Sequence, residues 1–154
     1  MRTGSQITVD GRPALRFERH LKHSVERVWR AVSEPDELAR WFVAVVQWKP
    51  EAGEEFEAAG DRGRITAVEP PRLLAWTWGV ERYSFELSPE GDGCLLVFNH
   101  VFNPELGPDW QHAAGWETYF NRLDVHLDGG FLSEQDAHEG VQALMDDYRA
   151  AYSQ

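Results

Sequence analysis

Cysteine is almost absent from this chain of 154 residues, where Cys94 stands alone. A single thiol excludes a disulfide framework and a cysteine metal cluster. Its place in an apolar stretch predicts a small buried hydrophobe rather than a nucleophile. Long hydrophobic runs are missing too. The longest, Trp41 to Val46, is far too short to cross a bilayer. Residues Met1 to Gly11 lack the basic start and apolar core of a secretory signal. The expectation is a cytoplasmic protein without membrane insertion. The sequence has no His-Glu-x-x-His pair, no Gly-x-Ser-x-Gly elbow and no Gly-rich phosphate loop. His112 and His126, about 21 Å apart along a helix axis, cannot share an ion. No metal and no cofactor is expected, and Gly60 to Gly63 and Gly91 to Gly93 read as hairpin turns. Basic residues are scarce, with 15 Lys and Arg against 26 acids and a net charge of −11. From Asn103 to Gln154 ten acids face two arginines. Such a surface repels phosphate, which excludes nucleic acid and anionic membrane as expected partners. Its plainest use is to keep outer helix faces soluble.

Aromatic residues, by contrast, are plentiful at 12%, with seven tryptophans. The length suits a single domain, residues 1–154, that buries roughly two thirds of its unfolded surface. The organising stretch is Asp109 to Asp128. Ala113, Trp116, Phe120, Leu123 and Leu127 recur at steps of three and four, which predicts one apolar stripe on a helix roughly 30 Å long. Glu117, Asn121, Asp124 and Asp128 fall on the opposite side. Pro108 or Asp109 opens the helix and Gly129-Gly130 closes it. Only a sheet can bury a stripe of that length here. Ile7–Val9, a turn at Asp10-Gly11, and Leu15–Leu21 read as a hairpin. Ser24 caps a helix bearing Val25, Val28, Trp29 and Val32, and Pro35 starts a second short one. Strand-like segments follow at Val43–Trp48, Glu54–Ala59, Arg64–Val68, Leu73–Trp78, Arg82–Leu87 and Cys94–Phe102, with turn residues between them. These are antiparallel meander signals without a βαβ crossover. Residues 1–12 form an N-terminal strand or tail. Residues 131–154 form a helical extension capped at Ser133 and interrupted at Gly140, with Val141, Leu144, Met145 and Tyr148 apolar. The class is α+β.

This order, with Val28-Trp29-Arg30-Ala31, Pro35-Asp36-Glu37-Leu38, Trp41-Phe42, and later Ala114-Gly115-Trp116 and Leu127-Asp128-Gly129, resembles a known family. These are the activators of the heat-shock-protein-90 ATPase, and in particular their bacterial single-domain homologues in the START-related, birch-pollen-allergen-like (SRPBCC) superfamily. The resemblance spans about Leu15 to Tyr148. It implies a helix-grip fold, in which a curved antiparallel sheet of six to seven strands holds the C-terminal helix above a cavity for a largely apolar molecule. Eukaryotic activators carry an additional N-terminal chaperone-binding domain, for which 154 residues leave no room, so fold carries over and function does not.

Candidate ligand-binding residues are Trp41, Trp76, Trp78, Phe85, Phe98, His100, Trp116 and Phe120, which converge between sheet and helix if the patterns hold. Apolar pockets are built from such side chains plus a few polar groups, although most buried aromatics only fill a core. Three indoles, Trp76, Trp78 and Trp116, need partners for their N–H groups. His100 shares a strand face with Leu96, Phe98 and Phe102 and is the one candidate for acid-base work or for orienting a polar group. The plainer alternative is a buried neutral histidine satisfied by the protein. His112 falls one turn from Trp116, at the expected mouth. Arg19 lies in register with Leu15, Phe17 and Leu21, so an ion pair with an acid at the edge of the core is expected for it. Glu55, Glu57, Glu69 and Glu81 read as ordinary charge pairs on the wet face. Leu95, Val97 and Val101, if outward, form a patch suited to a dimer. Three functions are therefore carried forward. The first is binding of a small apolar molecule, the second a chaperone-associated partner that docks through its acidic C-terminal third, and the third a cyclase- or hydrolase-like enzyme using His100 as acid-base. The first is preferred, as monomer or homodimer.

Overall fold

A computed structural model describes residues 2–153. The chain opens with the predicted hairpin of β1 (Gly4–Val9) and β2 (Arg12–Leu21). Asp10 and Gly11 both have positive φ, the conformation a tight two-residue hairpin requires. Helices α1 (Val25–Ser33) and α2 (Pro35–Leu38) follow, and Ser24 caps the first by accepting the Arg27 N–H. Five strands form the meander: β3 (Glu55–Ala58), β4 (Asp61–Glu69), β5 (Leu73–Trp78), β6 (Glu81–Glu90) and β7 (Gly93–Val101). Helix α3 (Asp109–Leu127) is the long helix, and α4 (Glu134–Ala137) and α5 (Val141–Tyr152) end the chain. All seven strands join one antiparallel sheet in the order β1-β2-β7-β6-β5-β4-β3, so the last strand returns to pair with the second.

Alternation decides which side is core. Register aligns Phe17, Phe98, Phe85 and Leu74 in one inward row across four strands. The next inward row runs Leu15, His100, Tyr83, Trp76, Ile65. Helix α3 lays Ala113, Trp116, Phe120, Leu123 and Leu127 over these rows, as its periodicity requires. Each fully buried large side chain contributes about 1.5–3 kcal/mol. Ser133 caps α4, and Gly140, at φ 81, breaks α4 from α5. No described helix is long and apolar enough to cross a membrane.

Three expectations change. Residues Val43–Trp48 form no strand, and β3 is instead the edge of the sheet. The stretch is irregular because its residues serve the core one by one: Val46 and Trp48 are buried, and the Trp48 indole donates to the Ser33 carbonyl. Val97 and Val101 do point outward but are buried, their cross-strand neighbours including Glu18, Glu86 and Arg82, so no open apolar patch forms there. Finally, Glu117 is buried rather than wet. Its outer position on α3 is covered by the N-terminal segment and α5, which supply donors. Thr3 N and Oγ1 each lie 2.6 Å from a Glu117 oxygen, Arg19 Nη1 donates at 2.6 Å, and the Tyr148 hydroxyl donates as well. Arg19 also pairs with Asp124, as its inward position led us to expect.

Removing Glu117 leaves the Arg19 guanidinium buried with less compensation and the Tyr148 hydroxyl without its acceptor. Glu117→Ala is expected to cost about 3–5 kcal/mol in urea unfolding. His20→Ala, which breaks the exposed His20–Glu90 pair, is expected to stay within about 0.5 kcal/mol. Equal losses would show that the buried network carries no special weight.

Candidate functional site

The row of His100, Tyr83 and Trp76 sets the geometry of the space under α3. One residue from each of three adjacent strands stands at the same register, and their rings stack. His100 and Tyr83 lie 4.4 Å apart at 14°, and Tyr83 and Trp76 lie 5.3 Å apart at 9°. Trp116 of α3 meets Tyr83 edge-on at 6.1 Å and Phe98 at 4.6 Å. Phe120 reaches Trp41, Phe98 and Trp116 within 6.2 Å, and Phe85 touches both Trp41 and Trp76. Seven of the eight expected residues thus form one contact cluster. Trp78 stands at its margin, half-buried against Tyr83 and Phe56. The rings fill much of the space themselves. Phe42, from the irregular stretch after α2, packs between Trp76 at 6.2 Å and Trp116 at 5.8 Å.

Polar groups inside are few and mostly committed. The Trp116 indole N–H donates to His100 Nδ1 at 2.9 Å. An indole nitrogen only donates, so Nδ1 is the unprotonated nitrogen and the proton sits on Nε2. His100 Nε2 in turn donates to Glu81 Oε1 at 2.6 Å. The same carboxylate accepts the Tyr83 hydroxyl at 3.0 Å and the Asn103 backbone N–H at 2.9 Å. Burial by itself pushes the Glu81 carboxyl up, but the bonds from His100, Asn103 and Tyr83 outweigh it and hold it down at about 2. Burial, and next the Glu81 charge, push the Tyr83 phenol above its ordinary range, so it stays a donor. His112 faces His100 at 5.5 Å. Burial, then the neighbouring His100, push its imidazole down.

Each indole has a distinct fate. Trp41 donates to the Ala31 carbonyl, Trp48 to Ser33 and Trp78 to Ala58. The Trp76 N–H is buried and meets no acceptor, and His112 Nε2 and the Tyr152 hydroxyl are likewise buried without a partner. Glu81, read as surface decoration, is an interior carboxylate. Its parity with Tyr83, Phe85 and Leu87 carried that signal, as every second residue of a strand shares a face. Glu55–Arg64 and Glu57–Arg62 are the exposed pairs expected. Buried Arg122 had no such signal. It donates to the carbonyls of Arg40, Trp41 and Leu132 and so pins the start of the irregular stretch to α3. Among the described residues no cluster of three metal-ligating side chains occurs.

Comparison with known proteins places this geometry. A family model described as Activator of Hsp90 ATPase homolog 1-like protein matches residues 22–128. Among solved structures, CalU16 from Micromonospora echinospora is similar at 24% identity, over 97% of this chain and 96% of its own, with a TM-score of 0.79. Protein EF2215 from Enterococcus faecalis is similar at 21% identity over 97% and 90%, TM-score 0.76. Protein MLL2253 from Mesorhizobium loti is similar at 25% identity over 77% and 99%, TM-score 0.69. No curated protein matches the chain.

A carboxyl whose folded pKa lies below its unfolded one stabilises the fold fully above the unfolded range, near 4.5, and loses that contribution as pH falls toward 2. Wild type is expected to exceed Glu81→Gln by on the order of 2–4 kcal/mol at pH 7. That gap should narrow between pH 4.5 and about 2. Urea unfolding across that range is the measurement, and a gap independent of pH would mean that Glu81 is not ionised in the fold.

Proposed function

Since the chain belongs to the Activator of Hsp90 ATPase homolog 1-like family and has its helix-grip fold, we propose that it binds a small, largely apolar molecule between the sheet and α3. The observation that carries this reading is the Trp76 N–H, a buried donor without an acceptor. Native interiors rarely leave such a group unpaired, because it forfeits about 1–3 kcal/mol. An acceptor arriving with a ligand would remove that penalty. The walls would be Trp76, Phe98, Trp116 and Phe120, with Trp41 and Phe85 behind them. The entrance is the irregular stretch at Phe42. That ring packs against Trp76 and Trp116, belongs to no helix or strand, and is the one whose withdrawal makes room.

The geometry weighs against His100 as an acid-base group. Both of its nitrogens are already bonded within the protein, one to Trp116 and one to Glu81. A substrate would have to break one of these bonds before any proton could move. We therefore assign His100 the role of fixing Trp116 in place. A chaperone-associated role would rest on the exposed acids Glu134, Asp136, Glu139 and Asp146. It would appear as a chaperone interaction that weakens with added salt.

Native mass spectrometry of the protein from its own host, followed by denaturing extraction, is expected to yield a co-purifying small molecule. Trp116→Ala should weaken its binding at least about tenfold, a loss of about 1.4 kcal/mol, while Asp146→Asn should leave it unchanged. Unchanged affinity in Trp116→Ala would overturn the assignment of the site.

A further inference from the structure

Resting on the binding reading above, we propose that the site selects against negative charge: Trp76 is its polar handle, and the ligand is a molecule bearing an uncharged acceptor oxygen, not a carboxylate. The polar groups near the aromatic space are mostly engaged, His112 Nε2 being a buried atom without a partner. Glu81 receives three donors, from His100, Tyr83 and Asn103, and His100 Nδ1 receives Trp116. The buried cations are spent as well. Arg19 bonds Thr3, Glu117 and Asp124, and Arg122 bonds three backbone carbonyls and lies 3.6 Å from Glu134. His112, the remaining basic side chain beside His100, is kept neutral by burial first and then by that neighbour.

An incoming carboxylate would therefore lose its water, find no cation, and lie near the ionised Glu81. Burying an unpaired charge costs far more than one hydrogen bond returns. Two buried groups near the site stay open, the Trp76 N–H and His112 Nε2, and the indole, which stands in the stacked row itself, can only donate. A donor recognises only an acceptor, and a ketone, ester or amide carbonyl offers one without charge. Selection against anions follows from the same residues that hold the sheet and helix together, because those bonds leave no cation to spare.

The test compares three probes with one two-ring body: 2-acetylnaphthalene, 2-naphthoate and naphthalene. Each is titrated at pH 7 into the full chain labelled with 15N at tryptophan, and the Trp76 indole N–H resonance is assigned with Trp76→Phe. The ketone is expected to bind about tenfold more tightly than naphthalene, a ratio worth about 1.4 kcal/mol. It should also move the Trp76 N–H resonance downfield more than any other indole resonance. The naphthoate should bind more weakly than naphthalene. Naphthoate binding as tightly as the ketone would overturn charge selection and leave ligand binding standing. Ketone binding with the Trp76 resonance unmoved would overturn the handle. If none of the three moves any indole resonance, the binding reading itself falls, and this inference with it. Because the resonance is read in the wild-type chain, the result does not hinge on how well Trp76→Phe folds.

Discussion

Stacking of Tyr83 between an imidazole and an indole ties three strands at one register, and much of the interior is arranged around that contact. Rings at the same height on adjacent strands of a sheet can pack face to face only when the pairing is held without slip. The register between β5, β6 and β7 meets this condition, since Trp76, Tyr83 and His100 are direct cross-strand partners. The same alternation that turns Tyr83 inward also turns Glu81 inward two residues earlier. A carboxylate delivered to an apolar interior must be fully hydrogen-bonded or it unfolds the site. It is satisfied by the phenol of Tyr83, the imidazole of His100 and the Asn103 amide. That demand fixes the tautomer of His100, and the tautomer in turn leaves Nδ1 free to receive Trp116. One strand parity thus anchors the first half of α3.

The second half is anchored by different means. Glu117 and Arg19 join α3 to β2, the N-terminal segment and α5, and Arg122 joins it to the carbonyls that follow α2. None of these ties is a surface ion pair, whose worth would be tenths of a kcal/mol. Each is buried, so its loss would strand a partner in a medium where charges are costly. The long helix is therefore held by direction-dependent bonds along its length, with apolar packing supplying the bulk of the free energy.

How much of this could be read from the sequence divides along physical lines. Periodicity revealed the helix from Asp109, the alternation of β2, β5 and β6, and the convergence of seven of the eight candidate residues, because these depend only on spacing along one element. The inward Arg19 was legible for the same reason. Residues 43–48 were misread as a strand since β-branched and aromatic residues there match strand composition. What they lack is a partner strand, and a partner is not a local property. Glu117 was placed on a wet face because a helix wheel knows only its own axis. Its burial comes from α5 and the N-terminal segment, contributed by residues more than thirty and more than a hundred positions away. Glu81 was legible from parity and was missed because composition, a carboxylate among surface charges, was given more weight than position.

The same division explains why a saturated polar frame and an unpaired donor can coexist in one interior. A sequence specifies a structure when every local and long-range requirement agrees, and departures collect where function needs them. Here the buried polar groups that hold elements together are saturated: Glu81, His100, Trp116, Glu117, Arg19 and Arg122 all have partners. The departures are His112 Nε2, the Tyr152 hydroxyl and, most centrally, Trp76, whose unused donor lies beside Phe42 on a stretch without regular structure. A purely structural core could fill that position with phenylalanine or leucine, which bring no N–H to be satisfied. Indole there adds nothing to the stack that phenyl could not approximate, apart from area and the donor itself. The residue makes physical sense if an acceptor visits. The stretch bearing Phe42 supplies the route, because it is fixed at its start by Arg122 and farther on by Trp48, with the ring between those anchors.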